Sequence, residues 1–361
     1  MRALIMDEFT RIGGGQKFFY IVEQELRELG YVIDVATDST HRALNGNFNK
    51  IIETTYNYND GEPYYRVLPK ILRLRHELSR LEGYDLTINN HPNVFLYNAT
   101  VNCMHTPSIF EPLVDENGHI GKKLPFQILR YLKLFRVYEK GIFWVSSEYS
   151  KMILENVFKA LKITIGLSKV IPIPVKIPEN LTMEKKDSDV ILSFGRISPD
   201  KEIDVILQIA RRCRKKFIIA GAVNPGNEEY LKEIARNKPQ NVEIIVNPDD
   251  SVKDELFRKA GIYLHAKRGE MFGIAVEEAI AYGCVPVVPK SGGPWTDIVE
   301  YGLYGYGYNS IEDAVEIINS SSEFSDSMRT RIQKSSERYS SHRFFQDFSE
   351  LIKFSLGRDW L

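Results

Sequence analysis

The sequence predicts an α/β protein of two domains, each built on a doubly wound, parallel sheet. Three observations carry that expectation. Apolar strand-like runs alternate with helical periods along the whole chain, as successive βαβ units do. At 361 residues the chain exceeds the size at which one hydrophobic core usually keeps growing. The proline-punctuated stretch KVIPIPVKIP, 169–178, reads as an interdomain linker, so the first domain ends near residue 172.

Composition narrows the function classes. Hydrophobic residues at 43% and charged residues at 26% describe an ordinary globular chain, and a net charge of −1 gives no overall pull toward nucleic acid. Cys103, Cys213 and Cys284 are odd in number, far apart and outside any CxxC spacing. They argue against a disulfide framework or a zinc site and for a reducing compartment. The opening residues RALIMDEF run straight into a strand with no charged-then-apolar leader. No stretch approaches the roughly 18 to 20 uninterrupted apolar residues of a spanning helix. A cytoplasmic location is expected, with peripheral recruitment to a membrane face as the variation.

In the first domain, residues 2–7 read as a buried strand, followed by a loop ending in Gly13, Gly14 and Gly15, a helix over 16–29 and a strand over 31–36. Three glycines before a helix let the backbone approach a ligand closely. They do not spell GxGxxG, so a dinucleotide site is not indicated, and a tight turn alone is the other reading. Strand-like runs recur over 84–89, 100–104 and 141–146, with a helix over 147–160 after the last. His105, within Cys103-Met104-His105-Thr106-Pro107, follows one of these strands, where ligands of open α/β sheets bind. His91, also before a proline, is its competitor. Residues 122–140 place Lys122, Lys123, Arg130, Lys133, Arg136 and Lys140 among Leu, Phe, Ile and Tyr. That pattern suits a helix lying on an anionic membrane surface, and equally a packed helix whose basic face is solvated or lines an acceptor cleft.

The second domain opens with DVILSFG, 189–195, a strand that leads into Arg196-Ile197-Ser198-Pro199-Asp200-Lys201 and a helix whose first turn suits Pro199. FIIAGA at 217–222 and VEIIV at 242–246 are further strands. The richest stretch is 261–294. GIYLHA reads as a buried strand, KRGEMFG as a loop, IAVEEAIAYG as a helix ended by Gly283, and VPVVP as the next strand. Gly273 and Ile274 therefore stand at a helix N-terminus, where free N–H groups and the positive end of the dipole favour phosphate, with Lys267 and Arg268 nearby. Glu270 and Glu278 would repel phosphate if they faced it, so they suit the neutral hydroxyls of a sugar. Arg196 and Lys201 occupy the same kind of place, after a strand and before a helix. Two segments converge on one anion site, and the ligand they describe is a sugar joined to a phosphate. Helices over 311–320 and 325–339 and an amphipathic segment over 342–356 close the chain.

The run Glu270-Met271-Phe272-Gly273-Ile274-Ala275-Val276, with Glu278 and the PVV strand, resembles the E-x7-E region of retaining glycosyltransferases of family 4. That family has the GT-B fold, two Rossmann-like β/α/β domains facing across a cleft. The resemblance implies that Glu270 contacts the donor sugar and Glu278 the ribose, with Met271, Phe272, Gly273 and Ile274 around the donor. G-R-x-S-P-x-K resembles the donor-phosphate motif, which gives Arg196 and Lys201 the diphosphate. Ser291-Gly292-Gly293-Pro294 looks like the Gly-Gly turn by the donor. The loop holding Gly14 and Gly15 falls where the family approaches the diphosphate or the acceptor, and Asn247, before Pro248 and Asp249, where it holds the base. His105 sits in a setting similar to a motif of mannosyl- and rhamnosyltransferases in which the histidine faces the sugar. His265 and Ala266 replace the Pro-Ser of many relatives, a departure that bears on donor specificity. The implied division is an acceptor-side domain over 1–172, completed by a C-terminal helix at about 341–361, and a nucleotide-sugar-binding domain over 173–340.

The expected function is retaining transfer of a hexose from a nucleotide-diphosphate donor, GDP- or UDP-linked, to a saccharide or lipid-linked saccharide. The CMHTP and SGGP segments lean toward mannose. His105, Glu270, Arg196 and Lys201 form the expected catalytic set. Breaking the glycosidic C–O bond puts charge on the departing diphosphate, and prearranged cations lower that barrier. Neither cofactor nor metal is expected, because protein cations are available and no DxD-type pair stands in the required place. Two other readings stay open: a hydrolase or epimerase of nucleotide sugars, and a non-catalytic partner subunit of the same fold.

Overall fold

The structure is a computed structural model that describes residues 1–7, 14–37, 48–54, 64–90, 97–104, 133–178 and 186–357. His91, His105 and residues 122–132 of the basic segment lie outside these residues. The chain divides into two compact units, Met1–Pro172 with Phe345–Leu361, and Ile173–Phe344.

The first unit runs β1 (Arg2–Met6), α1 (Gly14–Glu28), β2 (Val32–Thr37), β3 (Lys50–Glu53), α2 (Tyr64–Leu78), β4 (Leu86–Asn89), β5 (Val101–Cys103), β6 (Ile142–Val145), α3 (Glu148–Leu161) and β7 (Leu167–Val170). Its strands are all parallel, in the order β3-β2-β1-β4-β5-β6-β7. β1 is central, and Ala3, Leu4, Ile5 and Met6 are all buried, because a parallel strand is covered on both faces. α3 starts where Ser147 caps it: the Ser147 hydroxyl accepts from the Ser150 amide, and the Ser150 hydroxyl accepts from the Ser147 amide. The end of the basic segment forms a short 3-10 turn, Leu134–Tyr138, with Phe135 and Tyr138 buried.

The second unit runs β8 (Asp187–Phe194), α4 (Ile203–Ala210), β9 (Lys216–Gly221), α5 (Glu228–Asn237), β10 (Val242–Val246), α6 (Asp250–Lys259), β11 (Ala260–Leu264), α7 (Ile274–Ala281), β12 (Val285–Pro289), β13 (Tyr306–Tyr308), α8 (Ile311–Asn319) and α9 (Asp326–Ser335). The strands are again parallel, in the order β10-β9-β8-β11-β12-β13. The last helix, α10 (Ser341–Ser355), places Phe348 against Trp144 at 5.1 Å between ring centroids and Ser349 in a 2.9 Å bond to Glu25, both within the first unit.

In each sheet the strand order reverses once, between β1 and β4 in the first and between β8 and β11 in the second. Loops leaving the carboxyl ends of two such strands turn in opposite directions and open a crevice between them, where ligands of open α/β sheets bind.

Two sequence expectations need correction. The stretch 169–178 begins as structure: Lys169 and Val170 end β7, whose residues pair with β6 from Ile142↔Leu167 to Val145↔Val170. Pro172 and Pro174 lack the N–H groups that would continue the ladder. The segment after β8 does not enter its helix at Pro199. Pro199–Lys201 is a separate 3-10 turn, and Glu202, in the left-handed region at φ 52°, redirects the chain before α4 begins at Ile203.

Candidate active site

The crevice between β8 and β11 is built by two loops. β8 ends at Phe194, and Gly195 and Arg196 follow. Gly195 lies so close to Gly221 that a Cβ on Gly221 would fall 1.5 Å from the Gly195 carbonyl oxygen. A glycine is required at 221 where these backbones pass. Beyond them Arg196 pairs with Asp200 at 3.1 Å, and Ser198 donates to the same carboxylate at 2.5 Å. Burial pushes the Asp200 carboxyl up, but the Ser198 bond with Arg196, Lys201 and Lys267 brings it below the usual range.

The second loop leaves β11 at Leu264 and reaches α7 at Ile274. The Ser291-Gly292-Gly293-Pro294 turn after β12 clamps it. The Gly293 amide donates to the Glu270 carbonyl at 2.8 Å, and the Gly269 amide donates to the Ser291 hydroxyl at 3.1 Å. A Cβ on Gly292, which sits at φ +82°, would lie 2.6 Å from the Glu270 carbonyl oxygen, and one on Gly293 would lie 2.4 Å from that of Met271. The double glycine is therefore a packing requirement of the Glu270 loop. Gly273 caps α7 at φ 105° and leaves the first amides of the helix pointing out of its end.

The two loops meet through their charges. Lys201 Nζ lies 2.5 Å from Glu270 Oε2, across 69 positions of sequence, and Lys267 Nζ lies 3.9 Å from Glu270 Oε1. Burial alone would raise the Glu270 carboxyl; the two lysines, with His265, overcome it and bring it down to about 2. Glu270 is thus a fixed anion, an acceptor of hydrogen bonds only. Arg268 is held by its own contacts, its amide donating to Glu202 at 3.1 Å and its guanidinium to the Asn309 carbonyl.

Glu278 lies one helical stretch further on. Its carboxylate meets Lys253 of α6 at 2.5 Å, and the Lys253 ammonium lies over the Phe194 ring at 5.3 Å. Sequence reasoning did not single out Lys253, because nothing in local spacing links α6 to α7.

The remaining expected residues fall in several places. Met271 and Phe272 turn inward: both are buried, and Phe272 stands edge-on to Tyr339 at 5.9 Å. Asn247, at φ 51°, uses its side-chain oxygen to accept from the Val223 amide at 3.1 Å and so ties together the loops after β9 and β10. Gly14 and Gly15 begin α1 in the first unit, away from the loops of the second sheet in sequence and in unit. His105 lies outside the described residues.

His265, the first residue after β11, belongs to this cluster. Its amide donates to Val287 at 2.9 Å, and its carbonyl accepts from the Tyr308 hydroxyl at 2.8 Å. Nε2 is buried with no partner. Burial, with Lys201 and Lys267, pushes the imidazole down to about 4 against the pull of Glu270, so the ring is neutral. A separate cavity of about 590 Å³ lies at the other end of the sheet, around Asp187, Lys216 and Arg214. Of its cations, Arg212, Lys215 and Lys216 are already paired with Glu312, Asp189 and Glu243.

Residues 180–338 match the model of the family described as glycosyl transferases group 1, and they contain every one of these loops. The second unit is a glycosyl transferases group 1 domain. A glycogen synthase of Clostridium kluyveri is 25% identical over 161 residues, 42% of this chain and 34% of that one. A GDP-Man:Man(3)GlcNAc(2)-PP-Dol alpha-1,2-mannosyltransferase of Dictyostelium discoideum is 23% identical over 299 residues, 71% of this chain and 59% of the relative. That span is longer than the group 1 domain, so it takes in part of the first unit as well. The chain spans less than two thirds of the length of both relatives. The crystal structure of Anabaena HepE in complex with UDP-glucose is similar over 98% of this chain and all of the other, at a TM-score of 0.69 and 17% identity. The fold is GT-B, with the group 1 domain as the second of two Rossmann-like domains.

Proposed function

We propose that this chain is a retaining glycosyltransferase that moves a hexose from a nucleotide-diphosphate sugar to a saccharide or lipid-linked saccharide. The observation that carries the reading is the Lys201–Glu270 pair, in which a cation from the β8 loop and a carboxylate from the β11 loop meet where the strand order reverses. Arg196 and Lys201 supply positive charge for the diphosphate, and the free amides at Gly273 and Ile274 add the end of a helix dipole. Ionised Glu270 accepts from sugar hydroxyls, and Glu278, held by Lys253, does the same for the ribose.

In the reaction the bond between the anomeric carbon and the diphosphate oxygen breaks, and its electron pair stays on the diphosphate. The acceptor hydroxyl forms the new bond on the face the leaving group vacates, and its proton passes to the departing phosphate oxygen. Arg196 and Lys201 stabilise the charge that develops there, so no metal is required by this reading. His105 is assigned to the hexose by the family resemblance alone, and Asn247 shapes the loop beside the base. The donor is GDP-mannose by this reading, supported by the match to a relative named for GDP-Man that extends beyond the group 1 domain. The basic composition of residues 122–140 suits a lipid-linked acceptor; among the described residues no helix is long and apolar enough to cross a membrane.

The test is transfer of labelled sugar from GDP-mannose, UDP-glucose and UDP-N-acetylglucosamine to saccharide and polyprenyl-diphosphate acceptors, with the product anomer read by proton NMR. The expected product is an α-glycoside formed from GDP-mannose. Free hexose as the sole product would replace transfer with hydrolysis, and a β-glycoside would remove retention.

A further inference from the structure

Glu202 stands where a glycine would be relaxed. Its φ of 52° lies in the left-handed region, which a side chain as long as glutamate seldom adopts. Asn247 holds a similar angle, φ 51°, but asparagine adopts it readily. Nothing in the backbone calls for a side chain at 202. The Lys201 amide donates to the Ser198 carbonyl at 3.0 Å and the Glu202 amide to the Pro199 carbonyl at 3.1 Å, while the Glu202 carbonyl accepts from the Val205 amide at 3.0 Å. Glycine would make all three bonds without strain. What it would lack is the carboxylate, which accepts from the Arg268 amide at 3.1 Å across 66 positions of sequence.

Adjacent residues therefore reach the β11 loop at two places. Lys201 holds the side chain of Glu270, and Glu202 holds the backbone at Arg268. One contact is a pivot, whereas two fix the direction of the loop as well as its distance. A ligand acts on the two differently. A diphosphate drawn to Arg196 and Lys201 competes with Glu270 for the Lys201 ammonium. The Glu202 bond uses none of the groups assigned to the nucleotide sugar, so it persists when Lys201 turns to the diphosphate. We infer that Glu202 is a positioning residue for sugar transfer, whose bond to the Arg268 amide keeps Glu270 in place against the β8 loop while Lys201 serves the departing diphosphate. This rests on the nucleotide-sugar reading of the crevice. The strained conformation is kept because the site needs the side chain.

Two variants of the full chain separate the bond from the strain. Glu202→Gly removes both, so kcat for sugar transfer should fall about 10- to 100-fold while the melting temperature holds or rises. Affinity for the free nucleotide, which leans on Arg196 and Lys201, should be unchanged. Glu202→Gln keeps an acceptor oxygen and should recover most of the rate. Hydrogen exchange at the Arg268 amide, followed by NMR, reads the bond without any ligand and should be about tenfold faster in Glu202→Gly than in the wild type or Glu202→Gln. Unchanged kcat in Glu202→Gly would overturn the inference, as would exchange at Arg268 that neither variant alters. A Glu202→Gln protein as slow as Glu202→Gly would overturn it too, because charge and not the bond would then be at work. A melting temperature that falls along with the rate in Glu202→Gly would reduce Glu202 to a support of the fold. Wild-type protein that transfers sugar from none of GDP-mannose, UDP-glucose and UDP-N-acetylglucosamine would overturn the reading beneath, an outcome visible before any variant is made.

Discussion

The two sheets share one topology and differ in what stands at the point where it reverses. At β1/β4 the described groups are Asp7, buried, and Asn90, whose amide donates to it at 2.6 Å. At β8/β11 Arg196, Lys201, Lys267 and Arg268 face Asp200, Glu202 and Glu270. The crevice comes with the strand order, while its ligand is decided by a handful of loop residues. A parallel sheet supplies a place, and among the described residues the second sheet's loops supply the charge that a diphosphate would require.

The sharpest break in that comparison is to strip the second crevice of its charge. Lys201→Ala should lower the rate of sugar transfer about 10²- to 10³-fold, the usual cost of removing one preorganised electrostatic partner, with melting temperature little changed. Next comes the clamp. Gly292→Ala drives a Cβ into the Glu270 carbonyl at a positive φ, and should cost about 2–4 kcal/mol of stability, read by urea unfolding.

A third test separates neighbours on α7. Glu278 meets Lys253, whereas Glu277, one position earlier, is fully buried with neither oxygen bonded. Burial, then Glu278, pushes the Glu277 carboxyl well above its ordinary 4.5, with Arg338 opposing. The folded chain thus keeps a proton that the unfolded chain releases, so this group erodes stability as pH rises above about 4.5 toward the folded value. Glu277→Leu should flatten that slope and stabilise by about 1–3 kcal/mol near pH 8, with a smaller gain near pH 5, by thermal unfolding at both. The smallest effect belongs to the first sheet. Asn90→Ala should cost about 1 kcal/mol of stability and leave nucleotide affinity unchanged.

Much of this was legible in the sequence, for physical reasons. The central strands announce themselves as unbroken apolar runs, since parallel strands are covered on both faces. The strands missed, KIIE of β3, LSKV of β7 and YGY of β13, are all edge strands, three or four residues long and of mixed polarity. An edge strand is half open to water, so its sequence carries little pattern. In the site, Arg196 and Lys201 could be singled out because they lie between a strand and a helix, and Glu270 and Glu278 because they flank the start of the next helix. The partners that set their charge could not: Lys201 reaches Glu270 across 69 positions and Lys253 reaches Glu278 across 25. His265 was visible as an unusual residue after a strand, but its unpaired nitrogen is a fact of packing.

The most direct test of the central claim, that the β8/β11 crevice binds a nucleotide-diphosphate sugar, is calorimetric titration of GDP-mannose into wild-type protein and into Arg196→Ala/Lys201→Ala. Saturable binding by the wild type, weakened roughly a hundredfold or more in the double variant while its melting temperature holds, is the predicted result. Equal affinity in the two proteins would contradict it and move the donor away from these loops.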